Sequence, residues 1–94
     1  MPTFEVIQGE YTRYLEKERN LSQHTIRAYL GDLESFLSHL EMQKVDEISQ
    51  LTIAHIRSWL ANQQVKGGAR TTLSRRAVSI RLFTKWATKK GYLA

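Results

Sequence analysis

Apolar residues recur along this chain at intervals of three and four, the spacing that gathers them on one face of an α-helix. The first such segment, about Thr3 to Arg19, aligns Phe4, Ile7, Tyr11, Tyr14 and Leu15, and Asn20-Leu21 breaks it. A second starts at Ser22, whose hydroxyl is placed to cap the helix by accepting from the amide of Thr25. It continues without a gap through Ile26, Tyr29, Leu30, Leu33, Phe36, Leu37 and Leu40. Thr52 caps a third, running to about Gln64 with Ile53, Ile56, Trp59 and Leu60 inward. Val65 to Arg70 reads as a turn, because the paired Gly67-Gly68 stops a helix and permits positive φ. Thr71 or Thr72 caps a fourth helix that reaches about Lys90 and ends at Gly91, with Leu73, Ala77, Ile80, Phe83 and Ala87 as its inner stripe. A second apolar row, Val78, Leu82 and Trp86, shares its side with Arg75, Arg81, Lys85 and Lys89. A helix apolar on two sides predicts a second packing partner, either the first helix or a further domain. Strand-like alternation of useful length is absent. The pattern predicts an all-α fold, a compact four-helix bundle forming one domain.

Bulk properties narrow the field. Ninety-four residues hold one domain, and 41% hydrophobic with 24% charged residues is ordinary globular usage. No cysteine is present, which excludes disulfides, cysteine-ligated zinc and thiol catalysis and suits a reducing compartment. The start, Met1-Pro2-Thr3-Phe4-Glu5, lacks the basic and apolar regions of a signal peptide. No run approaches the ~18 apolar residues of a membrane span. A soluble, cytoplasmic protein without membrane contact is expected. The layout of charge says more than its sum of +5. Residues 1–47 carry five Lys/Arg and nine Asp/Glu, a balance of −4, whereas residues 48–94 carry nine Lys/Arg and no acid, a balance of +9. Halves of opposite sign point the second half towards a polyanion, although a solvated basic helix would look the same by charge alone.

Catalytic chemistry finds little footing. His24, His39 and His55 fall on three different predicted helices, with no His or Cys at i+3 or i+4 to complete a metal pair. They read as surface or nucleic-acid-contacting side chains. Lys66-Gly67-Gly68 lacks the length and the lysine-serine ending of a phosphate loop, and Glu16/Glu18 at i,i+2 do not face each other on a helix. The expectation is a non-enzymatic chain with no cofactor and no metal.

Two helix starts fit nucleic acid better. The second predicted helix begins Ser22-Gln23-His24-Thr25-Ile26-Arg27, and the fourth begins Arg70-Thr71-Thr72-Leu73-Ser74-Arg75-Arg76. Free amides at a helix start accept phosphate, hydroxyls reach phosphate oxygens, and arginine adds charge-assisted contacts. A helix also fits the major groove, where arginine reads guanine. Taken alone, Ser22 reads as a plain N-cap. Arg70, Arg75 and Arg76 lean to DNA, because no acid stands near them in the sequence.

Several stretches, in order, carry a family resemblance: Tyr14-Leu15-Glu16-Lys17-Glu18-Arg19-Asn20-Leu21-Ser22, then Thr25-Ile26-Arg27-Ala28-Tyr29, Asp32-Leu33 and Phe36-Leu37. Leu51-Thr52 with Ile56-Arg57 follow, then Arg76-Ala77-Val78-Ser79-Ile80-Arg81-Leu82-Phe83, Trp86 and Gly91-Tyr92-Leu93. Together they resemble the N-terminal core-binding (SAM-like) domain of the tyrosine recombinases and phage-type integrases, the Xer type in particular. The resemblance implies an orthogonal four-helix domain forming half of a C-shaped clamp on DNA, with the catalytic domain as the other half. It implies that the second and fourth helices lie across the major groove of a recombination half-site. That assigns one contact to Ser22, His24, Thr25 and Arg27, and the other to Arg70, Thr71, Thr72, Ser74, Arg75 and Arg76. Arg81 matches a recurrent family arginine whose role is open between phosphate contact and structural pairing. The implied partners are duplex DNA, the parent's own catalytic domain and neighbouring protomers on DNA, in the cytoplasm and on the nucleoid when bound. The family's nucleophilic tyrosine and its arginine, lysine and histidine set belong to the catalytic domain, expected to follow Ala94. The helix-1 stripe begins almost at Met1, which leaves no room for a preceding arm-binding domain and favours a Xer-like parent.

Two other readings compete. A helix-turn-helix regulator needs two helices joined by a turn of about 3–4 residues, which the Gly67-Gly68 junction imitates while being a little long. A SAM-like protein-interaction module predicts no DNA affinity and leaves the acid-free second half unexplained.

Overall fold

Thr3 opens the first helix, its hydroxyl accepting from the amide of Val6 at 3.2 Å. In the computed structural model, which describes residues 2–94, α1 spans Phe4–Lys17, α2 Gln23–Met42, α3 Ile53–Val65 and α4 Arg70–Lys89. A short 3-10 turn at Ile48–Gln50 lies between α2 and α3. No strand occurs among the described residues. The fold is all-α, as the hydrophobic spacing predicts. Asn20 takes positive φ (51°) at the predicted break, and Lys44 (62°) does so just past α2. Ser22 is the N-cap of α2, accepting from the Thr25 amide at 3.1 Å.

The core gathers Ile7, Tyr11 and Leu15 from α1 with Leu33, Phe36, Leu37 and Leu40 from α2, and Trp59 from α3 joins Ile80, Phe83 and Ala87 from α4. Val45 and Ile48, outside every predicted helix, are also buried. Phe36 meets Trp59 edge-on with ring centroids 5.3 Å apart, and the Trp59 indole donates to Ser35 Oγ at 3.1 Å. At the other end Tyr11 packs on Phe83 at 5.2 Å and on Trp86 at 5.1 Å. The first helix is therefore the second packing partner of α4, but only for the Trp86 end of its outer row. Val78, at the other end, stays 52% exposed.

Two local expectations fail. Ala69, not Thr71 or Thr72, is the N-cap of α4, so that helix starts at Arg70 without a side-chain cap. The turn ends sooner than a threonine cap requires, because Gly67 at φ 83° reverses the chain and Gly68 closes it by donating to Gln63 O at 3.1 Å. Ile53 is 64% exposed. It sits in the first turn of α3 at the rim of the apolar stripe, while Ile48 and Leu51 of the preceding segment fill the space against the core. No helix among the described residues is long and apolar enough to cross a membrane.

Candidate nucleic-acid interface

At the start of α2, Ser22 does two jobs. Its Oγ accepts from the Thr25 amide and donates to Thr25 Oγ1 at 3.0 Å. His24 and Arg27 are exposed and Thr25 is half-buried. The other two histidines are committed to structure. His39 Nε2 lies 3.0 Å from Ser58 Oγ, tying α2 to α3, and His55 Nδ1 accepts from the Thr52 amide at 3.0 Å at the start of α3. Of the three, His24 alone remains on an open surface.

At the start of α4, Arg70, Thr71 and Ser74 are exposed and Thr72 is half-buried. With no side-chain cap, the first-turn amides of this helix have no hydroxyl partner from the protein's own N-cap. The positive end of the helix dipole adds to the charge of Arg70.

Arg75 and Arg76 depart from the expectation that no acid can neutralise them. Asp32 of α2, only 1% exposed, takes both. Arg75 grips it with two nitrogens, Nη2 to Oδ1 at 2.6 Å and Nε to Oδ2 at 3.1 Å. The bond to Asp32 holds the Arg75 guanidinium more firmly charged than usual. Arg76 donates from Nε to Oδ1 at 3.2 Å and from Nη1 to Gln63 of α3. Its guanidinium also lies over the Trp59 ring at 5.8 Å from the centroid. Arg76 is thereby turned inward, with its side chain 21% exposed, whereas Arg75, at 40%, keeps an open edge. The sequence places Asp32 more than forty positions away, so only the crossing of α2 with α4 could bring the pair together.

Arg81 is exposed and lines a shallow pocket with Leu21 and Tyr29, beside the start of α2. Along α4 it lies about 16 Å from Arg70. Because Tyr29 neighbours Val78 and Arg81 while Asp32 meets Arg75 and Arg76, α2 and α4 cross running in opposite directions. The two cationic helix starts therefore flank the crossing, and Arg81 stands on the α2 side of it. Among the described residues the ion pairs are the two to Asp32, which leaves Arg27, Arg70 and Arg81 without a carboxylate.

Comparison with known proteins matches residues 9–91 to the family described as phage integrase, N-terminal SAM-like domain. The tyrosine recombinase XerC of Mycobacterium leprae (strain TN) is 46% identical over 88 residues, 94% of this chain and 29% of the relative. That of Mycobacterium sp. (strain JLS) is 40% identical over 91 residues, 96% of this chain and 30% of the relative. That of Mycobacterium tuberculosis (strain ATCC 25177 / H37Ra) is 42% identical over 90 residues, again 96% and 30%. The chain spans less than a third of the length of these relatives. No solved structure matches it.

Proposed function

The chain belongs to the phage integrase N-terminal SAM-like domain family, and from that premise we propose that it grips duplex DNA through the starts of α2 and α4. Ser22, His24, Thr25 and Arg27 form one contact. Arg70, Thr71, Thr72 and Ser74 form the other, with the open edge of Arg75 beside them and Arg76 behind it as an anchor. Arg81 reaches phosphate between the two. The observation that carries this reading is the uncapped start of α4, which stands among exposed Arg70, Thr71 and Ser74. Phosphate is the ligand such a helix end suits, and the arginine forks add bidentate contacts to phosphate or guanine. The chain itself catalyses nothing in this reading. The parent is a tyrosine recombinase whose strand exchange resides in a separate catalytic domain. Its partners are a recombination half-site, that catalytic domain and neighbouring protomers, in the cytoplasm.

The test is a salt titration of binding to a short duplex by fluorescence anisotropy, with amide shift mapping on the same sample. Affinity should fall steeply with salt, with shifts at 22–27 and 70–76, and Arg27→Ala or Arg70→Ala should each reduce the salt slope by about 1. No binding at low salt, or shifts elsewhere, would overturn the proposal. The double variant Arg75→Ala/Arg76→Ala is a poor probe of contact, since it strands Asp32 without a cation in the interior.

A further inference from the structure

Arg75 differs from the other exposed arginines near the helix starts in being held. Its Nε and Nη2 both donate to the Asp32 carboxylate, at 3.1 and 2.6 Å, and Nη1 has no hydrogen-bond partner among the described residues. One edge of the guanidinium is thereby committed to the protein. The terminal edge, Nη1 with the second hydrogen of Nη2, is left without a partner on a side chain that is 40% exposed. The carboxylate is itself held in place. Asp32 is 1% exposed, and its Oδ1 also accepts from Arg76 Nε at 3.2 Å. Arg76 is fixed in turn by Gln63 and by the Trp59 ring, so residues of three helices set the direction of one arginine.

A fixed direction suits a base edge better than a phosphate. Phosphate takes a cation from many directions, and Asp32 removes part of the attraction that Arg75 would otherwise exert on it. Guanine presents O6 and N7 side by side and needs two donors aimed at them together. Arg27, Arg70 and Arg81, with no carboxylate among the described residues, are the cations left to follow the backbone. We propose that Asp32 is a positioning residue that aims Arg75 at the O6 and N7 of a guanine in the major groove. The Asp32–Arg75 pair sets a base preference, while the unpaired arginines supply attraction. This assignment rests on the DNA reading above and adds to it the base that α4 selects. Holding the side chain before DNA arrives lowers the rotamer entropy that binding removes. An Arg75 released from Asp32 loses that advantage and is free to meet phosphate instead.

Two measurements test it, both on the 94-residue chain, with helical CD checked for every variant at the working temperature. The first needs no DNA. In nitrogen-edited spectra the Arg75 Nε–H should exchange slowly with water in the wild-type chain and rapidly in Asp32→Asn. The second incubates the chain with a pool of short duplexes of randomised centre and sequences those retained. The wild type should enrich a guanine at one position, and an analogue with carbon in place of N7 there should weaken binding about tenfold. Asp32→Asn should lose the enrichment and become indifferent to the analogue. It should also bind unselected duplexes more tightly, since a carboxylate has gone from beside two cations. A merely structural Asp32 would not separate preference from affinity in this way. Arg75→Lys, which keeps the charge without the fork, should lose the enrichment with no gain in affinity. Three results overturn this assignment and leave the DNA reading standing: salt-sensitive binding that enriches no guanine, enrichment that survives Asp32→Asn or Arg75→Lys, or a rapidly exchanging Nε–H in the wild type. Absence of binding to any duplex at low salt overturns both.

Discussion

Asp32, Arg75 and Arg76 form one network, yet cutting it from its two sides should not cost the same. Asp32 is 1% exposed, whereas the arginine side chains are 40% and 21% exposed. Asp32→Asn leaves two guanidiniums that can turn towards water, and the lost charge-assisted bonds, discounted for that exposure, are worth about 2 kcal/mol. Arg75→Ala/Arg76→Ala leaves the Asp32 carboxylate without either of its cations, which costs about 3–5 kcal/mol. Removing that stranded charge, in Asp32→Asn/Arg75→Ala/Arg76→Ala, should recover about 2 kcal/mol relative to the double variant. It should not recover everything, since the Arg76 contacts with Gln63 and Trp59 stay lost. Urea unfolding followed by far-UV CD reads each free energy, and a recovery of this size raises the melting temperature by about 8–15 °C in a domain of this length. The reasoning is refuted if Asp32→Asn costs as much as the double arginine variant, or if the triple variant is no more stable than the double.

Three further outcomes follow from single features. The Tyr11 hydroxyl is buried without a hydrogen-bond partner among the described residues, and burial pushes its pKa well above the ordinary range. Tyr11→Phe should therefore hold or raise stability, by up to about 1 kcal/mol in thermal unfolding; a loss above that size would mean the hydroxyl is satisfied in solution. Burial, with His55 and Lys66 adding to it, lowers the pKa of His39 below its ordinary 6.5. The folded state then binds fewer protons than the unfolded state between those two values. Stability should be fully present above 6.5 and decline as pH falls through that window, and His39→Gln should flatten the urea midpoint against pH there. Gly67 holds φ at 83° in the turn before α4, so Gly67→Ala should cost about 1 kcal/mol by urea unfolding, while an unchanged midpoint would show that the turn relaxes.

Most of the architecture was legible before any coordinates. Three-and-four spacing needs no tertiary information, so all four helices, the breaks at Asn20 and Gly67, and the Ser22 cap follow from local chemistry alone. The open surfaces at Arg27 and Arg70 follow as well, since neither belongs to an apolar stripe. Val45 and Ile48 were not legible, because an irregular segment has no period to mark its inward side. The start of α4 differs from its threonine signal for a related reason: a threonine promises a cap, but the glycine turn sets where the helix begins.

By itself, then, the chain's sequence determined its helices, its apolar faces and the separation of its charges, all of which depend on neighbours within a few residues. The tertiary structure decided which of those charges pair. A buried acid in the second helix and two partly exposed arginines in the fourth become one network only through the crossing of α2 with α4. The same packing closes the Trp86 end of α4 with α1 and leaves Val78 open. Local spacing tells which side of a helix seeks cover, but which element covers it depends on contacts between residues far apart in the chain.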